Sequence, residues 1–334
     1  SNIGTTTTGG LATFNWGNAT IRPFDSDLNI GAGIVVSLTA DGATLSTDDA
    51  AGISRLVSID SPVVGSYGLT LSGSGTVLLN AANTFAGNIV IGGGTLRIGN
   101  VAALPSGSGK GNVSLDSGSN AAGTLDLNGY SISINGLSGN ATYSALGQVV
   151  NNGTGAATLT VGGNNQTSEF SGLIKDSSNS GSGSLGLVKV GTGSFTLGGA
   201  NTYTGTTTVS AGTLVVNGSL AAGSAVTVAS GATLKGSGSV NGAVTVASGG
   251  TVSGGPVGSS VLVLGSLTLG GLANLNVANV AGASPSILVV GALTANGSAN
   301  SVTINVAAGA AYANNILYPD RKSTRLNSSH ANIS

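Results

Sequence analysis

The sequence is poor in most of what protein chemistry uses. It has no cysteine and no methionine, one histidine and one tryptophan, and charged residues make up 6% of its 334 positions. Without cysteine there is no disulfide framework and no thiolate metal site. With His330 as the sole histidine, nucleophilic triads and histidine-based zinc centres lack their ingredients. Net charge is −1, and the ten Lys and Arg are scattered from Arg22 to Arg325, so no basic stripe exists to neutralise a polyphosphate and nucleic acid is not an expected partner. Apolar runs are short as well. Stretches such as Val261–Gly265 and Ile287–Ala292 fall far below the ~18 residues of a membrane span. The start carries neither an initiating Met nor a charged region followed by an apolar one, so the chain reads as an internal fragment.

What the chain does have is glycine, at 58 positions, and 40% hydrophobic residues, with its polarity carried on Thr, Ser and Asn. Low charge with that much apolar content argues against disorder, because such a chain can bury a core. Residues 191–255 show the pattern most clearly: short runs alternating Leu or Val with Thr or Ser, cut by Gly, Asn and Ala-Ser-Gly turns. That is the grammar of strands. Ala-Val-Thr-Val-Ala-Ser-Gly stands at 225–231 and again at 243–249. A strand in every copy and a period near ~20 residues mark a solenoid, which grows along one axis and counts as one elongated domain. At longer range, residues 73–98 lie over 191–216 without a gap. Asn83 falls over Asn201, Thr84 over Thr202, Gly87 over Gly205, and Gly94-Thr95-Leu96 over Gly212-Thr213-Leu214. A looser third copy begins at Gly153-Thr154-Gly155.

The segments ANTYTGTTTVSAGTLVVNG (200–218), TLDLNGYSISINGLSG (124–139) and NNGTGAATLTVGGNNQTSEFSGLIKD (151–176) resemble the autotransporter-associated β-strand repeat of bacterial surface proteins. The resemblance covers roughly 65–310. It implies an all-β, right-handed parallel β-helix exported to the cell surface, attached to the outer membrane through a barrel outside this fragment, and no activity of the repeat itself. The function it implies is that of an extracellular structural and adhesive passenger. Its expected partners are glycans or proteins of a host or the surroundings, or further copies of itself. The alternatives are a passive stalk for a catalytic domain encoded elsewhere, or a polysaccharide-active β-helix. Absence of cysteine suits a chain that crosses an oxidising periplasm unfolded.

Along the chain, residues 1–64 are the least regular and read as a polar N-terminal cap with early coils. They hold Trp16, Phe14, Phe24 and six acidic residues: Asp25, Asp27, Asp41, Asp48, Asp49 and Asp60. The β-helix is expected over 65–319. At 69–73, 76–80, 88–92, 95–99, 112–116, 124–128 and 131–135 strands follow steadily. Alternation sends Leu125, Leu127, Ile132 and Ile134 inward, and Thr124, Asp126, Ser131 and Ser133 toward water. Asn80, Asn128, Asn135 and Asn217 end such strands, where Asn tolerates turn geometry and is placed to bond to backbone or to an Asn one coil along as a ladder. Residues 176–186 form a Gly/Ser insertion expected to be a loop, on a kind of position that often carries binding. About 12 to 15 coils at ~4.8 Å each would give a rod on the order of 60–75 Å long. Residues 321–334, RKSTRLNSSHANIS, break every habit of the chain and resemble a tail joined to unrelated sequences, so 320–334 is read as non-native.

No catalytic, cofactor-binding or metal-binding residue emerges, and no cofactor is expected. Asp25 and Asp27, two apart on a strand, could share a cation, though a polar cap accounts for them as well. Asp48-Asp49 with Arg55 resembles the paired aspartates of polygalacturonase-like helices, but the Gly-His-Gly and Arg-x-Lys elements of those enzymes are missing. Gly181–Gly186 spells G-x-G-x-x-G, yet a strand rather than a helix follows, so no helix N-terminus meets a pyrophosphate. Lys110 lacks the flanking residues of a phosphate loop. Outward threonines at 206–208 and at Thr158 and Thr160 raise a flat binding face for ice or glycan, but such a face needs Thr in one rank on successive coils. The sequence by itself offers only scattered cases.

Overall fold

In a computed structural model the described residues are 2–3, 12–115, 123–139, 147–177, 183–254, 261–277, 287–296 and 302–306. Among them every regular element is a strand, and the pairings between named strands are parallel and almost all in register. The chain thus forms the expected parallel β-solenoid. It divides into two units, 1–185 and 186–334.

In the first unit a turn of chain visits three sheets. Leu28–Ile30 leads to Ile34–Leu38 and then to Thr44–Ser46; the next turn repeats the order with Leu56–Ile59, Val63–Gly65 and Leu69–Ser72. Apolar and polar residues alternate along each strand, so one set of side chains faces the axis and the other faces water. Stacking then lines up the inward set coil on coil. Val57, Val77, Leu96, Leu125, Val149 and Ile174 form one continuous inward ladder and are all fully buried. Each such side chain contributes about 1.5–3 kcal/mol by leaving water. Residues 12–64 already follow this plan: Trp16 is buried, and its Nε1 donates to the carbonyl of Ala19 at 2.9 Å.

The second unit repeats the scheme. Ser194–Leu197, Thr213–Val216, Thr233–Gly236, Thr251–Gly254, Asn274–Val277 and Thr303–Val306 stack in one sheet, with Phe195, Leu214, Leu234, Val252 and Leu275 inward. The two Ala-Val-Thr-Val copies lie directly against each other, Val226 on Val244, Thr227 on Thr245 and Val228 on Val246. One coil earlier the chain makes a corner between Ser219–Leu220 and Val226–Val228; in the next coil the corner is lost and the two strands fuse into Ser239–Val246. From Leu220 to Val226 is six residues, whereas between their register partners Val240 and Val244 it is four. Stacking at one corner leaves no room for a side chain: a Cβ on Gly238 would stand 1.9 Å from the Gly218 carbonyl oxygen, and one on Gly218 would stand 2.1 Å from that of Gly199.

Two expectations change at the corners. Asp126 is buried, not in water, because the strand ends there and Asn128 turns the chain with φ 49°. Register sets Asp126 beside Arg97, whose Nε donates to its Oδ2 at 3.0 Å, while Oδ1 accepts from the backbone N–H of Asn128 and of Asn152. Of the two partners expected for the strand-end asparagines, backbone is found and another Asn is not. Asn80 donates to Asp60 one coil back at 2.6 Å, Asn217 accepts from Ser237 one coil on, Asn128 donates to the Ile98 carbonyl, and Asn135 clamps the turn at Gly107 and Lys110. The bonds between coils exist, but their partners are Asp, Ser and backbone. Part of the 176–186 insertion lies outside the described residues; its base is closed by Asp176, which accepts from the Leu185 N–H at 2.8 Å. Residues 320–334, and His330 with them, also lie outside.

Candidate functional site

Four acidic residues of the N-terminal region, Asp27, Asp48, Asp49 and Asp60, accept hydrogen bonds that serve the fold. Asp49 is nearly buried and both its oxygens are engaged: Oδ1 accepts from the N–H of Ala51 and of Ile53, and Oδ2 accepts from Arg55 Nη2 at 2.6 Å and Nε at 2.9 Å. These bonds hold its carboxyl below the usual 3.8, the Ile53 N–H and the guanidinium contributing most. Asp48 accepts from the N–H and hydroxyl of Ser74 on the next coil. The pair therefore folds and anchors the 48–55 loop. An acid kept ionised by its neighbours is a poor proton donor, which is the opposite of what glycoside cleavage asks of its acid. Asp25 and Asp27 lie at an exposed bend between short strands, and Asp27 accepts from the Leu56 N–H. Among the described residues no group of three or more His, Cys, Asp or Glu is placed to hold a metal ion. Lys110 Nζ donates to the carbonyl of Thr84.

The repeat positions found by overlay carry a shared buried device. In the first unit Asn83 sits between three coils: its Oδ1 accepts from the Val63 N–H at 2.8 Å and its Nδ2 donates to the Ala103 carbonyl at 2.7 Å, each 20 residues away. Two positions on, Phe85 fills the core beneath the turn. In the second unit Asn201 donates to the carbonyls of Gly199 and Ser219, and Tyr203 takes the place of Phe85. The extra hydroxyl is accommodated by a second change. Where the first copy has Ile89, the second has Thr207, whose Oγ1 lies 2.7 Å from Tyr203 Oη and 2.9 Å from Ser224 Oγ. All three are fully buried, and burial pushes the tyrosine up to about 12.

Lys189 is a residue that the sequence reading passed over. It ends the strand Leu185–Lys189 on the inward side, in phase with Leu185 and Leu187, and is fully buried. Its Nζ donates to the carbonyls of Val190 at 2.6 Å, Gly191 at 2.9 Å and Ala211 at 3.3 Å, which uses all three ammonium protons. Desolvation lowers its pKa from 10.5. The signal was present: the same alternation that sends the two leucines inward sends Lys189 inward too.

The outward face of the second unit shows an order that the sequence hides. Thr208, Thr227, Thr245, Thr268 and Thr294 are consecutive register partners on five successive coils and face outward. The threonines that looked scattered form one rank here. Of the trio at 206–208, Thr207 points into the core and only Thr206 and Thr208 face out. On the adjoining sheet Ser194, Thr213, Thr233 and Thr251 form a second, partly covered rank.

Comparison with known proteins gives the same repeat. The profile of the passenger-associated-transport-repeat matches residues 69–98 and 187–216, the two segments that contain Asn83 with Phe85 and Asn201 with Tyr203. The chain is similar to a protein of Brucella suis biovar 1 (strain 1330) named adhesin BmaC autotransporter, with 47% identity over 51 residues. That match covers 15% of this chain and 2% of the relative, so this sequence spans a very small part of the length of the curated protein it resembles. No solved structure matches.

Proposed function

We propose that this chain, with two segments matching the passenger-associated-transport-repeat in a parallel β-solenoid, is an extracellular, cell-surface autotransporter passenger that presents adhesive surfaces and performs no chemistry of its own. The observation that carries the reading is the coincidence of the repeat with the buried Asn and aromatic residue in both units. The name of the relative supports an adhesive role. Partners of the expected kind are glycans or proteins of a host or the surroundings.

A physical account of export follows from the coil. A chain without cysteine and with 6% charged residues can leave the cell unfolded, and each coil emerging outside finds its hydrogen-bonding template in the coil already formed. Coil-by-coil stacking would then resist return. The test is to produce the parent protein with residues 187–216 deleted and to measure surface exposure by external protease together with cell adhesion. The reading expects surface exposure to fall sharply, and adhesion with it, while a Thr245→Ser variant is displayed normally. Full display and adhesion without the repeat would overturn it.

A further inference from the structure

We propose that the threonine rank of the second unit binds the surface of ice. Thr208, Thr227, Thr245, Thr268 and Thr294 stand one above another on coils about 4.8 Å apart. Four of the five, Thr208, Thr227, Thr245 and Thr268, are flanked on both sides by buried residues. Thr227 lies between buried Val226 and Val228, and Thr245 between buried Val244 and Val246. A β-branched side chain has a restricted χ1, so the rank presents its methyls and hydroxyls with little freedom left to lose on binding.

Such a rank gains from its regularity only if the partner repeats at a matching interval, since each contact then places the next at high effective concentration. The composition of the face says which periodic partner it suits. Residues 206–210, 225–229, 243–247, 266–270 and 292–296 contain no charged and no aromatic side chain. A charged polymer would meet no counter-charge. A sugar chain would find no aromatic ring to pack its apolar faces on. The flanking side chains are mainly small, as at Ala225, Ala229, Ala243, Ala247, Ser266 and Gly270. A neutral row that offers a methyl and a hydroxyl on each coil at a regular repeat is suited to ordered water. The hydroxyls hydrogen-bond to lattice waters while the methyls fit between them. The proposal concerns this face alone and does not depend on display at a cell surface.

The experiment uses the purified chain in ice-affinity partitioning, with the growth shape of a single ice crystal as a second readout. The unaltered chain is expected to enter the ice fraction and to facet the crystal. Thr245→Tyr, which keeps a good strand former at an outward position, is expected to lose both effects. Lys235→Tyr, also outward but on the adjoining sheet, is expected to keep them. Far-ultraviolet circular dichroism and the melting curve verify that the variants fold; if Thr245→Tyr does not, Thr227→Tyr on the same rank replaces it. Exclusion of the unaltered chain from ice overturns the proposal, as does equal partitioning of the Thr245→Tyr protein. Threonine-dependent capture by an insoluble neutral polysaccharide, with no effect on ice, also overturns it and assigns the rank to a glycan.

Discussion

Lys189 spends more free energy on its position than any other side chain in its strand, since removing an ammonium from water costs several kcal/mol even when it is hydrogen-bonded (about that order in folded proteins). Three carbonyls offset part of this. Its pKa is lowered from 10.5 by desolvation, so between the folded value and 10.5 the unfolded chain binds more protons than the folded one. Stability therefore rises with pH across that window. Urea unfolding followed as pH is raised toward 10.5 should show this gain, and Lys189→Met should remove it. The hydroxyl chain of Tyr203, Thr207 and Ser224 makes a second prediction at this scale. Tyr203→Phe alone should cost about 0.5–1.5 kcal/mol, the usual net worth of a hydrogen bond. Adding Thr207→Ile, which restores the Phe and Ile pairing of the first copy, should recover part of that loss. A double-mutant cycle in urea reads the coupling, and strict additivity would count against the shared hydroxyl network.

At the scale of the element, the coil is the unit that can be added or removed. Deleting residues 226–243 joins Ala225 to Val244 and leaves the local sequence Ala-Val-Thr-Val-Ala-Ser unchanged, because Val226 and Val244 are register partners. Deleting 226–242 instead shifts every following side chain by one place, and a one-residue slip moves the apolar set to the water face. The first deletion should leave a cooperative melt close to that of the intact chain; the second should lose it, as measured by calorimetry. The same logic explains what could be read from the sequence. Strand positions and both repeat offsets were legible because they follow from local alternation and from near-identical words. Asp126 was misplaced because alternation stops at a corner, and a corner is set by backbone geometry rather than by pattern. The threonine rank was invisible because coil length varies. Thr227 and Thr245 are separated by the short coil, whereas Thr245, Thr268 and Thr294 are separated by longer ones. Only the register shows that they share a line. Lys189 was legible in principle, but a charged residue in a strand is ordinarily read as outward.

For the molecule as a whole, each of its two units couples coils only to their neighbours, and stability in such an array is close to a sum of local terms. Damage to one coil should then remain local. The scarcity of charge has a related consequence. Lys and Arg number seven among the described residues. Arg55 and Arg97 are held in ion pairs, Lys189 is enclosed in the core, and Lys110 is tied to a carbonyl. A digestive enzyme of the trypsin type, which must draw a basic residue and several of its neighbours into an extended groove, meets few such places among the described residues. Much of the defence against such enzymes is thus present before any single bond has to resist cleavage.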